Sequence, residues 1–352
     1  MTSSTLVFLG VLSIFLGVVL VLGIRILPRE EWQVLAAIPR VKEKDGTWSG
    51  LNLTYYGLFT ANAYVLALAV FLILLAAIGV PVTVSILFAV LVLSACMPLS
   101  RVIARIVEGK SYTFTVGGAS FAGLVAAPWV LLAVNAGARA FEGPGIPVAP
   151  AVSAMAVAYA FGEGLGRLAC LSFGCCYGRA LEEMPPVIRR MLAGKGCVFS
   201  GKTKKAAYES GLEGVELVPV QAMTAILYSA TGLVSTGLFL LGWYRWAFLF
   251  AVLVTQGWRA WSESLRADFR GGGKITAYQA MALVAMGYSV FIFFLLSDVQ
   301  RMQADLVAGV GAVWNLPTVL FLQGLWVLSF HYTGRSMVTG SRITIHVHRE
   351  RI

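Results

Sequence analysis

Long apolar runs separated by polar stretches recur nine times along the chain, near residues 5–24, 56–78, 81–100, 116–137, 149–170, 219–241, 243–260, 275–297 and 307–329. Each is close to the roughly 20 residues a helix needs to cross the hydrocarbon of a bilayer. The pattern predicts an all-α fold, a polytopic membrane helical bundle. No Lys or Arg precedes Arg25 and the first run is long, so it reads as a retained helix rather than a cleaved signal. Two polar stretches interrupt the rhythm. Arg25 to Gly50 contains Arg29-Glu-Glu31 and Lys42-Glu-Lys-Asp45, and Tyr177 to Val218 contains Pro185-Pro186, Arg189-Arg190 and Lys202-Thr-Lys-Lys205. The second is long enough for a small extramembrane subdomain. After His331, polar and apolar residues alternate through Arg342-Ile-Thr-Ile-His-Val-His-Arg349, which predicts a short strand.

Composition agrees with a membrane protein. Of 352 residues only 12% are charged, about half the share in a soluble protein. The net charge of +10 reads as basic loops against anionic lipid rather than as a nucleic-acid surface, since no basic–aromatic motif accompanies it. With Arg245 and Arg259, at the two ends of run seven, counted to their nearer loops, Lys and Arg number 5, 3, 7, 4 and 4 after runs one, three, five, seven and nine, against 0, 0, 1, 1 and 1 on the other side. By the positive-inside rule the amino terminus lies outside and the carboxyl terminus in the cytoplasm.

Five cysteines are present, and the three histidines all lie beyond residue 330. No histidine of the first 330 residues is there to act as base or metal ligand. Cys170, Cys175, Cys176 and Cys197 lack paired C-x-x-C spacing, so no zinc knuckle and no metal site are expected. Cys197 can pair with Cys175 or Cys176 if their loop is extracytoplasmic.

The polar residues inside the apolar runs are the candidates for chemistry. An arginine at the centre of a membrane helix costs about 2.5–3.5 kcal/mol on insertion scales. Arg167 has Glu163 one helical turn earlier. The pair either orients Arg167 toward a polar ligand or simply lets both charges stay in the bilayer. Arg259, Glu263 and Arg266 fall at i, i+4 and i+7, a plus-minus-plus row. Two arginines about one carboxylate suit a phosphate; the alternative is an interfacial helix end with snorkelling arginines. Gly117-Gly118-Ala-Ser120-Phe121-Ala122-Gly123 permits close helix packing. Thr54-Tyr55-Tyr56-Gly57-Leu58 and Pro219-Val-Gln221 open two further runs.

Taken in order, these segments resemble the bacterial prolipoprotein diacylglyceryl transferases. The family's Trp-Tyr-Gly-Leu is similar to Tyr55-Tyr56-Gly57-Leu58, and its Gly-Gly-x-Ser-Phe-His-Gly to Gly117–Gly123, with Ala122 at the histidine position. Its Gly-Arg-x-Gly-Asn-Phe-x-Asn-x-Glu-x-x-Gly-Arg aligns with Gly166 to Arg179, with Cys170, Phe173 and Cys175 replacing Asn, Asn and Glu. Pro-Ser-Gln is similar to Pro219-Val220-Gln221, Arg-x-x-x-Glu-x-x-Arg to Arg259/Glu263/Arg266, and Gly-Gln to Tyr278-Gln279. The resemblance covers about 52–297, seven spans, leaving one extra span at each end. It implies residues 1–50 as an extra span and linker, 51–298 as a transferase-like core with the insert 177–218, and 299–352 as an extra span and tail.

What the resemblance implies is transfer of the diacylglyceryl group of phosphatidylglycerol to the cysteine thiol of a lipobox in a prolipoprotein signal peptide. It implies no cofactor, and a multi-pass place in the bacterial cytoplasmic (inner) membrane with the site facing the outer leaflet. Arg167 and Arg259 would stabilise the departing phosphate, Glu263 would position an arginine, and Glu163 would replace the missing histidine as base. Tyr56, Ser120, Gly178, Arg179, Gln221 and Arg266 would bind the lipid. The alternatives are a non-catalytic lipid-binding or assembly homologue and, with neither a polar path nor an inverted repeat visible, a transporter.

Overall fold

The computed structural model describes residues 2–108, 116–140, 145–268, 275–296 and 304–352. Lys110, Arg270, Lys274 and Arg301, which enter the charge count, and the boundary at 298/299 lie outside the described residues. Twelve helices are described: α1 (Ser3–Ile26), α2 (Tyr55–Ala76), α3 (Val82–Glu108), α4 (Val116–Ala140), α5 (Val148–Phe173), α6 (Pro186–Leu192), α7 (Lys205–Ser210), α8 (Val220–Leu240), α9 (Tyr244–Ser262), α10 (Ala277–Leu295), α11 (Leu306–Val313) and α12 (Leu316–Thr333).

Seven of them, α1 to α5, α8 and α10, are long and apolar enough to cross a membrane, or eight spans if α11 and α12 count as one. The hydropathy pattern predicts nine, and the difference has two local causes. Helix α9 carries Arg245, Gln256 and Arg259, so it falls short on apolar content. The last run breaks: α11 and α12 meet at 66°. Asn315 caps a fresh helix there, its side chain accepting from Thr318 N at 3.0 Å, and Pro317 follows in the first turn.

Helix α5 is the centre of the bundle. Its apolar window is 78% buried, against 22% for α1. It packs on α2, α8 and α9, and its run of buried small residues (Ala149, Ala151, Ala154, Ala160, Gly164) lets those backbones come close. The extra elements at both chain ends pack onto this core, α1 on α8 and α5, α11 and α12 on α2.

The bundle is not purely helical, which corrects the all-α expectation. Strands β1 (Val34–Lys42), β2 (Trp48–Thr54), β3 (Cys197–Val198), β4 (Glu216–Leu217) and β5 (Arg335–Ile343) form two sheets. The larger, antiparallel with order β1-β2-β5, joins the linker after α1 to the carboxyl-terminal tail. The tail strand begins and ends earlier than its alternation predicts. Trp48, the first residue of β2, pairs with Ile343, so residues from Thr344 onward have no strand to pair with.

The insert is docked rather than free. Phe199, Ala206 and Leu217 are buried in it. Fully buried Lys204 donates from Nζ to Leu27 O at 3.0 Å and Ser172 O at 2.6 Å, tying the insert to the ends of α1 and α5. Gln33 and Thr203 exchange two more hydrogen bonds. Burial lowers the Lys204 ammonium from 10.5 to about 8, with Glu30 and Glu31 offsetting only part of this. Between those values the unfolded chain holds a proton that the folded chain has released. Stability should therefore rise with pH from about 8 to 10.5, by at most about 1.4 kcal/mol per pH unit. Lys204→Met should remove the rise. Equal slopes in both proteins, measured by thermal unfolding across this window, would contradict the assignment.

Candidate functional site: an arginine-lined cleft

The carboxyl-terminal ends of α5 and α9 meet the amino-terminal ends of α4 and α8 at one end of the bundle. There Arg167, Gln221, Trp258, Arg259, Glu263 and Arg266 line a narrow cleft with Cys176.

On α5, Tyr159, Glu163 and Arg167 are spaced four apart and share a face. Glu163 Oε1 accepts from Arg167, and lies 3.9 Å from Arg259 Nη2. The expected pair thus forms, and its carboxylate also reaches the second arginine. Arg259 Nη1 donates to Ser120 Oγ at 3.2 Å and to Tyr159 OH at 3.0 Å. The small residues opening α4 have a reason here: a Cβ on Gly117 would stand 2.7 Å from the Tyr278 ring and 3.3 Å from Arg259 Nη2.

The second motif departs from its expected geometry. Helix α9 stops at Ser262, Glu263 to Leu265 form a single tight turn, and Arg266 is extended. The three charges are therefore not a row on one helix. Arg266 reaches the cleft from beyond the helix, held by a two-pronged contact with Asp268 at 2.8 and 2.7 Å and by Glu263 Oε1 at 3.6 Å. A planar fork held by a carboxylate is fixed in direction as well as position.

Four buried polar atoms of these cleft residues have no hydrogen-bond partner among the described residues: Arg167 Nε, Arg259 Nε, Gln221 Oε1 and Glu263 Oε2. Buried polar groups in folded proteins are nearly always paired, and leaving one bare costs about 1–3 kcal/mol. Two are cationic donors and two are acceptors. Together they match a ligand that presents both an anion and hydroxyl groups.

Gln221 is positioned by its own donor, Nε2 to Cys175 O at 2.9 Å. Of the other expected lipid-binding residues, Arg266 lines the cleft, whereas Tyr56, Ser120, Gly178 and Arg179 do not. Tyr56 packs edge-on against Phe173, ring centres 5.8 Å apart. Arg179 is exposed, with its Nε 3.4 Å from Arg266 O. Gly178 bridges to Arg266, and a Cβ there would lie 2.3 Å from Val218 O. Gly178 and Arg179 thus shape the loop that carries Arg266.

The sequence pattern assigns no role to Tyr159, nor to Trp258 and Asp268, which flank the Arg259/Glu263/Arg266 motif. Tyr159 was findable, one turn before Glu163; Trp258, which donates to Thr224 Oγ1 at 2.8 Å, carries no such signal. None of the three histidines lines the cleft: His331 sits at the end of α12 beside Arg335, and His346 and His348 are in the exposed tail.

Among the described residues no disulfide joins the cysteines, and Cys197 is buried on β3. Cys170, Cys175 and Cys176 nevertheless come together, their sulfurs within 4.8 Å of one another. A turn achieves what the missing C-x-x-C spacing would otherwise have done. Comparison of the chain with protein-family models and with curated proteins finds no match.

Proposed function

We propose that the cleft binds the headgroup of an anionic phospholipid, phosphatidylglycerol, and that the protein transfers its diacylglyceryl group to a cysteine thiol of a prolipoprotein lipobox. The observation that carries this reading is the convergence of Arg167, Arg259 and Arg266 with unpartnered donors and acceptors. A phosphate would accept from the two arginine Nε groups, and the glycerol hydroxyls would donate to Gln221 and Glu263. In the reaction the thiol sulfur bonds to the glyceryl carbon and the carbon–oxygen bond to phosphate breaks. The thiol proton ends on the released glycerol phosphate, so no cofactor is required. The arginines stabilise the charge that builds on the departing phosphate. Glu163, engaged by two guanidiniums, acts as a positioning residue.

Purified protein given labelled phosphatidylglycerol and a lipobox peptide should yield a thioether-linked product, and Arg167→Ala should abolish it. Lipid binding without turnover would replace this reading with the second one, a non-catalytic lipid-binding homologue. That alternative is favoured by the absence of histidine from the cleft lining.

Orientation is a separate test. The carboxyl-terminal strand β5 lies at the cleft end: a Cβ on Gly57, in the first turn of α2, would stand 2.1 Å from Gly334 just before β5, and Tyr56 beside it packs on Phe173 at the end of α5. Lipobox modification at the outer leaflet requires that end to face outward, so an alkaline phosphatase fusion at the carboxyl terminus should be active. The Lys/Arg bias of the same end favours the cytoplasm. A fluorescent green fluorescent protein fusion with an inactive phosphatase fusion would rule out the exported acceptor.

A further inference from the structure

The chain reverses at Gly174, and that reversal brings three thiols together. Helix α5 closes on Gly174 in the left-handed region at φ 74°, and Cys176, which has a side chain, takes φ 58°. Such backbone is uncommon outside glycine and persists where the surroundings hold it. Here Gln221 Nε2 holds the Cys175 carbonyl at 2.9 Å, and Ala206 N donates to Gly174 O at 3.0 Å. The Cys170 and Cys176 sulfurs are 3.9 Å apart, with Cys175 Sγ within 4.8 Å of both. That is far beyond the about 2.05 Å of a disulfide. It matches the ~3.8–4.0 Å between two sulfurs that each lie about 2.3 Å from one metal ion.

We infer that Cys170, Cys175 and Cys176 form a three-thiolate site for a monovalent copper ion. Among the described residues the ligand group contains three soft sulfurs and neither histidine nor carboxylate. Soft thiolates select soft cations, and a structural zinc site takes four ligands rather than three. Binding forms three copper–sulfur bonds, releases three thiol protons to solvent and leaves copper in its +1 state, so nothing is oxidised or reduced. The complex carries two net negative charges. Arg167, Arg266 and Lys205 are close enough to these cysteines to act on them electrostatically, each also paired with a carboxylate, Glu163, Asp268 and Glu209 in turn. The site does not depend on the lipid reading.

Full-length protein in detergent, titrated with Cu(I) without oxygen against a chromogenic Cu(I) chelator, should bind one copper per chain. Cys170→Ser and Cys176→Ser should each weaken binding by more than the roughly 10–100-fold that loss of a mere outer-shell partner costs. Cys96→Ser and Cys197→Ser should not change it. X-ray absorption on the copper-loaded wild type guards against misfolded variants and should show three sulfurs at about 2.3 Å. Unchanged affinity in the cluster variants, fewer than three sulfur neighbours, or one zinc per chain in place of copper would each overturn the assignment.

Discussion

Arg259→Ala is expected to lower lipid transfer by about 100–1000-fold, the loss seen when one preorganised donor to a developing anion is removed. The residue stands at the hub of the cleft. It links Ser120 on α4, Tyr159 and Glu163 on α5, and its own helix α9. Its Nε is one of the two cationic donors with no hydrogen-bond partner among the described residues. Arg259→Lys keeps the charge but loses the fork, because one ammonium cannot hold Ser120 and Tyr159 and still reach a ligand. It should therefore recover only part of the activity. Since breaking a buried charge pair costs about 3–5 kcal/mol, helical content and thermal midpoint must be read alongside turnover. Activity near the wild-type level in a folded Arg259→Ala protein would remove the cleft from the mechanism. If phosphatidylglycerol still binds the variant with wild-type affinity, the headgroup site lies elsewhere.

The second large effect is on stability and falls on Gly178. Its added Cβ would meet Val218 O at 2.3 Å and Val218 Cβ at 2.8 Å. The contact is with backbone that is itself committed, Val218 N donating to Arg179 O and Arg179 N to Leu265 O, both at 2.9 Å. Nothing nearby can move without opening the bridge from Gly178 to Arg266. Gly178→Ala should destabilise the protein by at least the about 1–3 kcal/mol typical of overpacking, and should do so in lipid-free detergent. That last condition separates the structural role from a ligand contact. A variant with an unchanged melting temperature but weakened lipid binding would return Gly178 to the set of lipid-binding residues.

The contrast between Gly178 and Arg167 shows what the chain reveals when read in one dimension. Both belong to the Gly166 to Arg179 segment and both looked like ligand contacts. For Arg167 the ion pair with Glu163 was legible, because Glu163 is one turn away and helical spacing alone puts them together. Gly178 could not, because the atom that excludes a side chain belongs to Val218, forty residues later. The row Arg259/Glu263/Arg266 failed for a similar reason. Its periodicity assumed a helix that ends at Ser262, where the chain instead turns to meet the loop at Gly178. The cysteines are the third case. Their spacing matches no linear metal motif, yet a left-handed turn at Gly174 and Cys176 gathers them.

By itself the sequence determined the helical membrane bundle, the places of its apolar helices and the Arg167–Glu163 pair. Hydrophobic length and helical period are local properties, and a bilayer leaves few other ways to satisfy a backbone. Only the tertiary structure decided that α11 and α12 part at an angle, and that the linker and tail share a sheet. It also decided that three arginines from separate segments face one cleft and that three thiols meet beside it. Each of those depends on contacts between residues far apart in the chain, which no period along the sequence encodes.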